Sequence, residues 1–203
     1  MLTYIQHRLQ EWEHLGVKTA ADGSRLIAHT PRDFPQAYLH AVFAPASASA
    51  WEGYGPHLPA HLQALYRCCN GLMFFGALTL WGVRAHYARD ASAQFQPFDL
   101  ASHHTECVRM LHALASNESD QRVFFGNYSD DGAALYTQAD SPRVYVVPPD
   151  TAEPIASWAS VSEFLAFEYD RLDAMFTRDG YQRDEDASTT FADRKSTRLN
   201  SSH

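Results

Sequence analysis

Cysteine is scarce in this chain of 203 residues, where it occurs only at positions 68, 69 and 107. An odd number of cysteines without Cys-x-x-Cys spacing argues against a disulfide framework and against a zinc site built from thiolates. Long apolar runs are also missing, since the longest mostly apolar stretch covers residues 72 to 83 and contains two glycines. A membrane-spanning helix needs about 20 apolar residues, so the sequence predicts no membrane span.

The N-terminus lacks the apolar stretch of a secretory signal peptide. Its first residues, MLTYIQHRLQEWEHLG, are amphipathic and carry Arg8, Glu11 and Glu13. We therefore expect a cytoplasmic protein. The chain also has no glycine-rich phosphate loop, no Gly-x-Ser-x-Gly elbow and only two lysines, Lys18 and Lys195. These absences argue against the common phosphate-binding and serine-hydrolase sites.

Positive charge is in deficit, because 24 acidic residues face 16 basic residues and the formal net charge is −8. Such a balance argues against direct binding to nucleic acid, whose phosphates attract basic proteins. It favours small molecules or a basic protein as the partner. The hydrophobic share of 45% is high enough for a folded core, and the chain length predicts a single domain.

The last eleven residues, DRKSTRLNSSH, look like a common short-read sequencing adapter translated in frame. We interpret residues 193 to 203 as an artefact and exclude them from fold and function. On this interpretation the natural C-terminus is missing, and the net charge without these residues is −10. Recovery of the same codons inside a longer gene, from a library made with another adapter, would contradict it.

Periodicity predicts helices combined with a group of strands. Apolar residues at helical spacing predict helices near residues 3 to 15, 47 to 55, 59 to 70, 106 to 115 and 156 to 176. Runs of strand-forming residues occupy positions 24 to 29, 77 to 83, 123 to 128, 133 to 137 and 143 to 147. This order predicts an α+β fold in which a mainly antiparallel sheet is flanked by helices.

The chain divides into four parts on this basis. Residues 1 to 39 are expected to form an N-terminal helix and extension, and residues 40 to 177 the α+β domain. Residues 178 to 192 are acidic and polar, and this composition predicts disorder. Residues 193 to 203 are the adapter-like tail.

Two cysteines and two histidines around the third predicted helix could suggest thiol catalysis. Cys69 lies on the apolar stripe of that helix, and Cys68 points about 100° away, so only one thiol could face a site. Buried structural cysteine is the favoured interpretation. His57 and His61 have the spacing of a helical metal pair, but His57 precedes Pro59 and so lies at or before the helix start.

A second group of possible metal ligands lies in and before the fourth predicted helix, at His103, His104, Glu106, Cys107 and His112. Adjacent histidines rarely bind one ion, and no His-Glu-x-x-His pattern encloses them. Surface histidines are the favoured interpretation. We therefore expect neither a metal nor a cofactor.

The stretch Ser129 to Gly132, SDDG, resembles a fragment of a calcium-binding loop. The required Asp-x-Asp-x-Asp-Gly spacing is absent, and Gln138 stands where such a loop needs a glutamate. A hairpin turn is favoured, because Asp131-Gly132 supplies the positive φ that the turn requires.

Acidic residues follow one another along the last predicted helix at Glu163, Glu168, Asp170 and Asp173. Their simplest role is a solvated helix face, and the alternative is a contact surface for a basic partner. The candidate partner-binding residues are Asp130, Asp131, Glu168, Asp170 and Asp173.

Residues 58 to 71, LPAHLQALYRCCNG, resemble the entry motif of the SUKH superfamily, the Smi/Knr-like domains, in which Leu-Pro opens a helix that closes on Asn-Gly. VFFGNYSDDGAALY resembles the family's central hairpin, RVYVV the next strand, and IASWASVSEFLAFEYDRL the closing helix. The resemblance covers about residues 40 to 175 in the family's order. The positions that match its motifs, with structural roles, are Leu58, Pro59, Tyr66, Asn70, Gly71, Asp131, Gly132, Phe164 and Leu165.

The resemblance implies a non-enzymatic α+β domain. Bacterial members are commonly immunity proteins that bind and neutralise a cognate toxin, often a nuclease or a deaminase. An acidic inhibitor suits a basic toxin, because opposite charges steer the two proteins together. Two alternatives stay open: a regulatory or scaffold module with a cellular partner, and an enzyme that uses Cys68 or a histidine cluster.

Overall fold

One antiparallel sheet organises the chain. The computed structural model describes residues 2 to 30, 37 to 84, 96 to 114 and 121 to 190. Its nine described strands pair in the order in which they follow one another along the chain. They are β1 Val17–Thr19, β2 Arg25–His29, β3 Tyr38–Val42, β4 Leu72–Phe74, β5 Leu78–Leu80, β6 Arg122–Tyr128, β7 Ala134–Gln138, β8 Ser141–Val147 and β9 Ala156–Trp158. The predicted α+β fold with an antiparallel sheet is confirmed.

The helices are inserted between neighbouring strands or placed at the two ends of the strand series. They are α1 Leu2–Gln10, α2 Ala48–Tyr54, α3 Ala60–Tyr66, α4 Leu100–Leu114 and α5 Val161–Asp173. Short 3-10 turns cover Glu13–Leu15 and Gly55–His57. Within the described ranges, no helix has both the length and the apolar character needed to cross a membrane.

The helices α3 and α5 cover one face of the sheet. Thr137 of β7 pairs with Val144 of β8, which pairs in turn with Trp158 of β9, so the three side chains point the same way. His61 of α3 lies 2.8 Å from the Thr137 hydroxyl, and Phe164 of α5 packs edge-on against Trp158 with ring centroids 5.0 Å apart.

Helix α4 covers the opposite face. Tyr136 is the neighbour of Thr137 in β7 and therefore points away from α3 and α5. Its cross-strand partner Phe124 lies against α4, where the Nδ1 atom of His104 accepts a hydrogen bond from the Phe124 backbone N–H at 3.2 Å. His103 stacks on Trp81 with ring centroids 4.9 Å apart.

The segment from residue 58 to residue 71, which contains α3, is hydrogen-bonded to the residues that directly follow β5. The Tyr66 hydroxyl donates to the Trp81 carbonyl at 2.7 Å. The Asn70 side chain accepts from the Val83 N–H at 2.7 Å and donates to the Val83 carbonyl at 2.8 Å, as a strand neighbour would. The helix itself ends at Tyr66, earlier than the predicted end at Asn70, because one further turn precedes Gly71.

The predicted boundary at residue 39 falls inside β3. Strands β1 and β2 pair with β3 in the same sheet, so the N-terminal residues belong to the sheet and are not an extension of it. Sequence analysis overlooked β1 and β4 because each has only three residues, too few for a period of two to stand out.

The closing helix is shorter than predicted, since residues 156 to 158 form β9. Helix α5 begins after Ser160, whose hydroxyl accepts from the Glu163 backbone N–H at 3.2 Å. The Glu163 carboxylate in turn accepts from the Ala159 N–H at 2.8 Å, one residue before the usual capping-box position.

Residues 178 to 190, which we call the C-terminal segment, are attached to the domain by polar contacts. The Arg171 guanidinium donates to the Thr189 carbonyl at 2.6 Å, and Asp130 accepts from the Ser188 hydroxyl at 2.6 Å and from the Thr189 N–H at 3.0 Å. The prediction of disorder is therefore wrong for this segment. Side-chain hydrogen bonds hold the segment in place, and the hydropathy of the sequence does not reveal such bonds. Residues 193 to 203 lie outside the described part.

Candidate binding surface

The turn between β6 and β7 is a hairpin, as the sequence predicts. Gly132 has a φ of +77°, and the Asp131 carboxylate accepts from the Ala133 N–H at 2.9 Å. Asp131 also accepts from the Thr190 hydroxyl at 2.9 Å. The carboxylates of this turn thus support the hairpin and the C-terminal segment.

An apolar groove lies between the second half of α4 and the adjoining ends of β7 and β8. Its walls include Cys107, Met110 and Leu114 from the helix, and Val147 and Pro148 from the end of β8. Met110 is 40% exposed and Leu114 is 50% exposed, so two large apolar side chains four residues apart meet solvent on one side of the helix. The groove is shallow and open, and its volume of about 50 Å³ is far below the several hundred that a small-molecule pocket needs.

Two aspartates adjoin residues that line this groove. Asp150 lies between Pro149 and Thr151, which both line the groove, and Asp131 directly precedes the lining residue Gly132. Both aspartates are exposed, and neither takes part in an ion pair among the described residues. The groove therefore combines an apolar interior with exposed aspartates in the adjoining turns, and Arg122 brings one positive charge to the same loop, since it donates to the Ala152 carbonyl at 3.1 Å.

The acidic residues of α5 have other roles. Glu168 is fully buried and forms a bidentate ion pair with Arg171, whose side chain is 7% exposed. The expectation of a solvated or partner-binding face is wrong for Glu168, because β6 and the C-terminal segment enclose this side of α5. The buried Tyr128 of β6 lies beneath the Arg171 guanidinium.

Two further acidic residues of α5 hold α1 in place. Asp173 accepts from the Trp12 indole N–H at 2.9 Å and from Arg8 at 3.0 Å, and its side chain is only 11% exposed. Asp170 remains 55% exposed but accepts from the Tyr4 hydroxyl at 2.6 Å. Of the predicted partner-binding residues, Asp130, Asp131 and Asp170 are thus exposed, whereas Glu168 is buried and Asp173 is mostly buried. The sequence signal for this contact was Arg8, a cation in the first predicted helix that can pair with the acidic residues of α5.

The cysteines differ in exposure. Cys69 is buried, as predicted, and burial raises the pKa of its thiol to about 12. Cys107 is half-buried in the groove wall, and burial raises the pKa of its thiol to about 11. Both side chains are therefore neutral thiols near pH 7 and lack the thiolate that a nucleophile requires. Cys68 is exposed.

The histidines considered as metal ligands lie apart from one another. His61 contacts Thr137, His103 stacks on Trp81 and His104 contacts the Phe124 backbone, while burial lowers the pKa of both His61 and His103. Within the part of the chain that the structure describes, no three His, Cys, Asp or Glu side chains come together as a metal site would need.

One buried histidine has no motif that sequence analysis could have found. His40 of β3 is completely buried, and burial lowers its pKa to about 3. Its Nδ1 atom faces the Phe75 N–H at 3.5 Å, and its ring packs against the rings of Trp12, Phe75 and Tyr169. The apolar residues on either side of it, Leu39 and Ala41, which are also buried, were the available signal.

A second and larger cleft, of about 250 Å³, lies between α2 and the start of α4. Its acidic residue, Asp99, caps α4 by accepting from the Ser102 N–H at 3.0 Å. The groove beside Met110 has two exposed apolar side chains in its wall, Met110 and Leu114, so it is the better candidate for a partner-binding surface.

Comparison with protein-family models, with curated proteins and with solved structures finds no match for the chain. The resemblance to the SUKH superfamily therefore stays a prediction that rests on the motifs quoted above. In the ranges that the structure describes, the protein has an α+β fold with one antiparallel sheet, and a partly apolar groove with adjoining aspartates lies between α4 and the ends of β7 and β8.

Proposed function

We propose that this chain is a non-enzymatic binding protein that neutralises a basic protein toxin by stoichiometric binding, as immunity proteins of the SUKH superfamily do. The observation that carries the proposal is the group of exposed carboxylates, free of ion pairs among the described residues, beside an apolar groove. Protein interfaces commonly pair an apolar centre with a charged rim.

The distribution of positive charge supports a basic partner. Arg8 and Arg171 each pair with acidic residues of the protein itself, and so does Arg178, which contacts Glu11 and Asp173. These arginines therefore compensate acidic residues within the fold, and the chain still has an excess of acidic residues, with a net charge of −8. A nuclease-type toxin with a cationic substrate groove would be attracted to such a surface, and the acidic protein could occupy that groove. We expect this encounter in the cytoplasm.

Co-expression with the adjacent open reading frame tests the proposal. The full-length chain, tagged at its N-terminus, is expressed with that neighbour in the source organism and in a heterologous host. We expect a one-to-one complex, growth arrest when the neighbour is expressed alone, and normal growth when both are present. A neighbour that is harmless alone, or that stays toxic in the presence of this chain, contradicts the immunity function.

Cys68→Ser separates this function from the enzymatic alternative. A binding protein should protect as well with the serine as with the cysteine, since Cys68 is exposed and does not line the groove. A loss of protection by more than tenfold, with an unchanged melting temperature, would favour thiol chemistry instead.

A further inference from the structure

We propose that the groove between α4 and the ends of β7 and β8 is the docking site for an amphipathic basic segment of the partner. Apolar side chains of that segment would enter the groove, and its Lys or Arg side chains would pair with the carboxylates at the rim. This inference rests on the proposed function, because it names the part of a basic protein that the surface recognises.

The apolar wall of the groove is the first argument. Single exposed apolar residues are common on protein surfaces and need no explanation. Here Met110 and Leu114 are both exposed and line one concave surface together with the buried residues Leu111 and Val147. Burial of apolar surface contributes roughly 25 cal/mol per Å², and methionine adapts to differently shaped partners.

The dimensions of the groove favour a helix or a short extended segment over a small molecule. The helix wall runs from Cys107 to Leu114, a rise of about 10 Å at 1.5 Å per residue. That length matches two turns of a partner helix that presents apolar side chains at positions i, i+3 or i+4, and i+7. The small volume of this open groove suits inserted side chains better than a whole small molecule.

The charge of the rim selects the chemistry of the partner. Asp131 and Asp150 adjoin lining residues and have no ion pair among the described residues, whereas the nearby Glu106 is paired with Arg109. An acidic segment or an anionic lipid surface would be repelled by these carboxylates. A segment with Lys or Arg beside its apolar side chains would satisfy both parts of the surface.

A synthetic peptide tests the docking site without the natural partner. The probe is an amphipathic helix of about 18 residues built from Leu and Lys, and its control is the same peptide with Glu in place of Lys. Binding to the full-length protein is measured by isothermal titration calorimetry. We expect the Leu/Lys peptide to bind and the Leu/Glu peptide to bind at least tenfold more weakly.

Paired protein variants locate the binding. Met110→Ser with Leu114→Ser should weaken the Leu/Lys peptide at least tenfold, while Val17→Ser, an exposed apolar change in the edge strand β1, should leave it unchanged. Asp150→Asn should weaken it about threefold, while Asp140→Asn, in the turn at the far end of the β7–β8 hairpin, should not. Equal binding by the wild type and the Met110/Leu114 variant overturns the proposal, and so does an equal effect of the two Asn variants.

The same variants distinguish failure of the docking site from failure of the function. If the toxin is captured equally by the wild type and the Met110/Leu114 variant, the protein is a binding protein that uses another surface. If the peptide binds at the groove but the neighbouring gene product is neither toxic nor bound, the immunity function fails while the groove remains a binding site for basic segments.

Discussion

At the scale of single residues, Gly71 combines a left-handed backbone with close backbone neighbours, so a side chain there is poorly tolerated. Its φ is +93°, and a Cβ atom would lie 2.6 Å from the Leu80 carbonyl oxygen and 3.2 Å from the Trp81 carbonyl carbon. Both neighbours are backbone atoms, so they cannot rotate away. Gly71→Ala should therefore lower the free energy of unfolding by about 3 kcal/mol or more, the combined cost of left-handed backbone and overpacking.

Gly23 provides the matched control for this prediction. Its φ is +91°, but no atom lies within 4 Å of a Cβ placed there. Gly23→Ala should cost only the left-handed backbone term, about 1 kcal/mol. Urea unfolding of the two variants measures the difference, and equal destabilisation would contradict the steric role of Gly71.

His40 makes the stability of the protein depend on pH. Burial lowers its pKa in the folded protein to about 3, whereas the unfolded chain has the ordinary value near 6.5. Between these values the unfolded state binds the proton and the folded state does not, so stability is complete above pH 6.5 and falls as the pH drops. At pH 5 the loss due to His40 should be about 2 kcal/mol, at roughly 1.4 kcal/mol per pH unit.

Urea unfolding between pH 8 and pH 5 tests the contribution of His40. His40→Phe keeps an aromatic ring in the cavity and removes the titration, so its stability should fall less steeply than that of the wild type. His61 and His103 also have pKa values lowered by burial and affect both proteins alike. Parallel pH profiles of the two proteins would show that His40 takes up its proton without unfolding.

At the scale of structural elements, the C-terminal segment depends on the β6–β7 turn. Asp130 accepts hydrogen bonds from the Ser188 hydroxyl and the Thr189 N–H, and the adjoining Thr189 carbonyl meets the buried Arg171. Asp130→Ala should lower the free energy of unfolding by about 1–2 kcal/mol, since two charge-assisted hydrogen bonds are lost. It should also release the segment, so that trypsin cleaves after Arg183 at least tenfold faster than in the wild type.

Two variants control for the loss of charge and for turn chemistry. Asp130→Asn keeps an acceptor oxygen and should be cleaved at close to the wild-type rate. Asp140→Ala removes an exposed aspartate from the next turn of the meander and should have no effect on cleavage. A cleavage rate for Asp130→Ala that equals that of Asp140→Ala would mean that the segment is held by other contacts.

Local signals were sufficient for some elements and insufficient for others. The Asp-Gly turn and the strands β2, β5, β6, β7 and β8 carry their own propensities, and the sequence predicted them. Strand β9 was assigned to the closing helix, because the alternation in Ala156–Trp158 is too short to compete with the helical pattern that follows. These residues form a strand because they pair with β8, and a local sequence pattern cannot show that pairing.

At the scale of the whole molecule, the sequence predicted the net charge but not where the charge is exposed. Glu168 and Asp173 look like solvated positions when α5 is considered alone. In the folded protein, Arg171 neutralises the first, and Arg8 and Arg178 neutralise the second. The surface field therefore comes from exposed carboxylates that have no ion pair among the described residues, such as Asp131, and their positions depend on which elements pack together.

The resulting negative field should govern how fast a basic partner associates, while the groove should govern how long it stays. Asp184, Glu185 and Asp186 are exposed, form no ion pair among the described residues and do not line the groove. Their joint conversion to Asn, Gln and Asn should slow association of the Leu/Lys peptide about three- to tenfold at low ionic strength, with an unchanged dissociation rate.

Stopped-flow kinetics over a range of salt concentrations separates these two contributions. At about 0.5 M salt the Debye length is a few Å, so the triple variant and the wild type should associate at the same rate. Met110→Ser with Leu114→Ser should act on the dissociation rate at every salt concentration, because apolar contact forms after encounter and is not screened. If the triple variant instead dissociates faster with an unchanged association rate, Asp184 to Asp186 belong to the contact surface, and the groove is only part of the binding site.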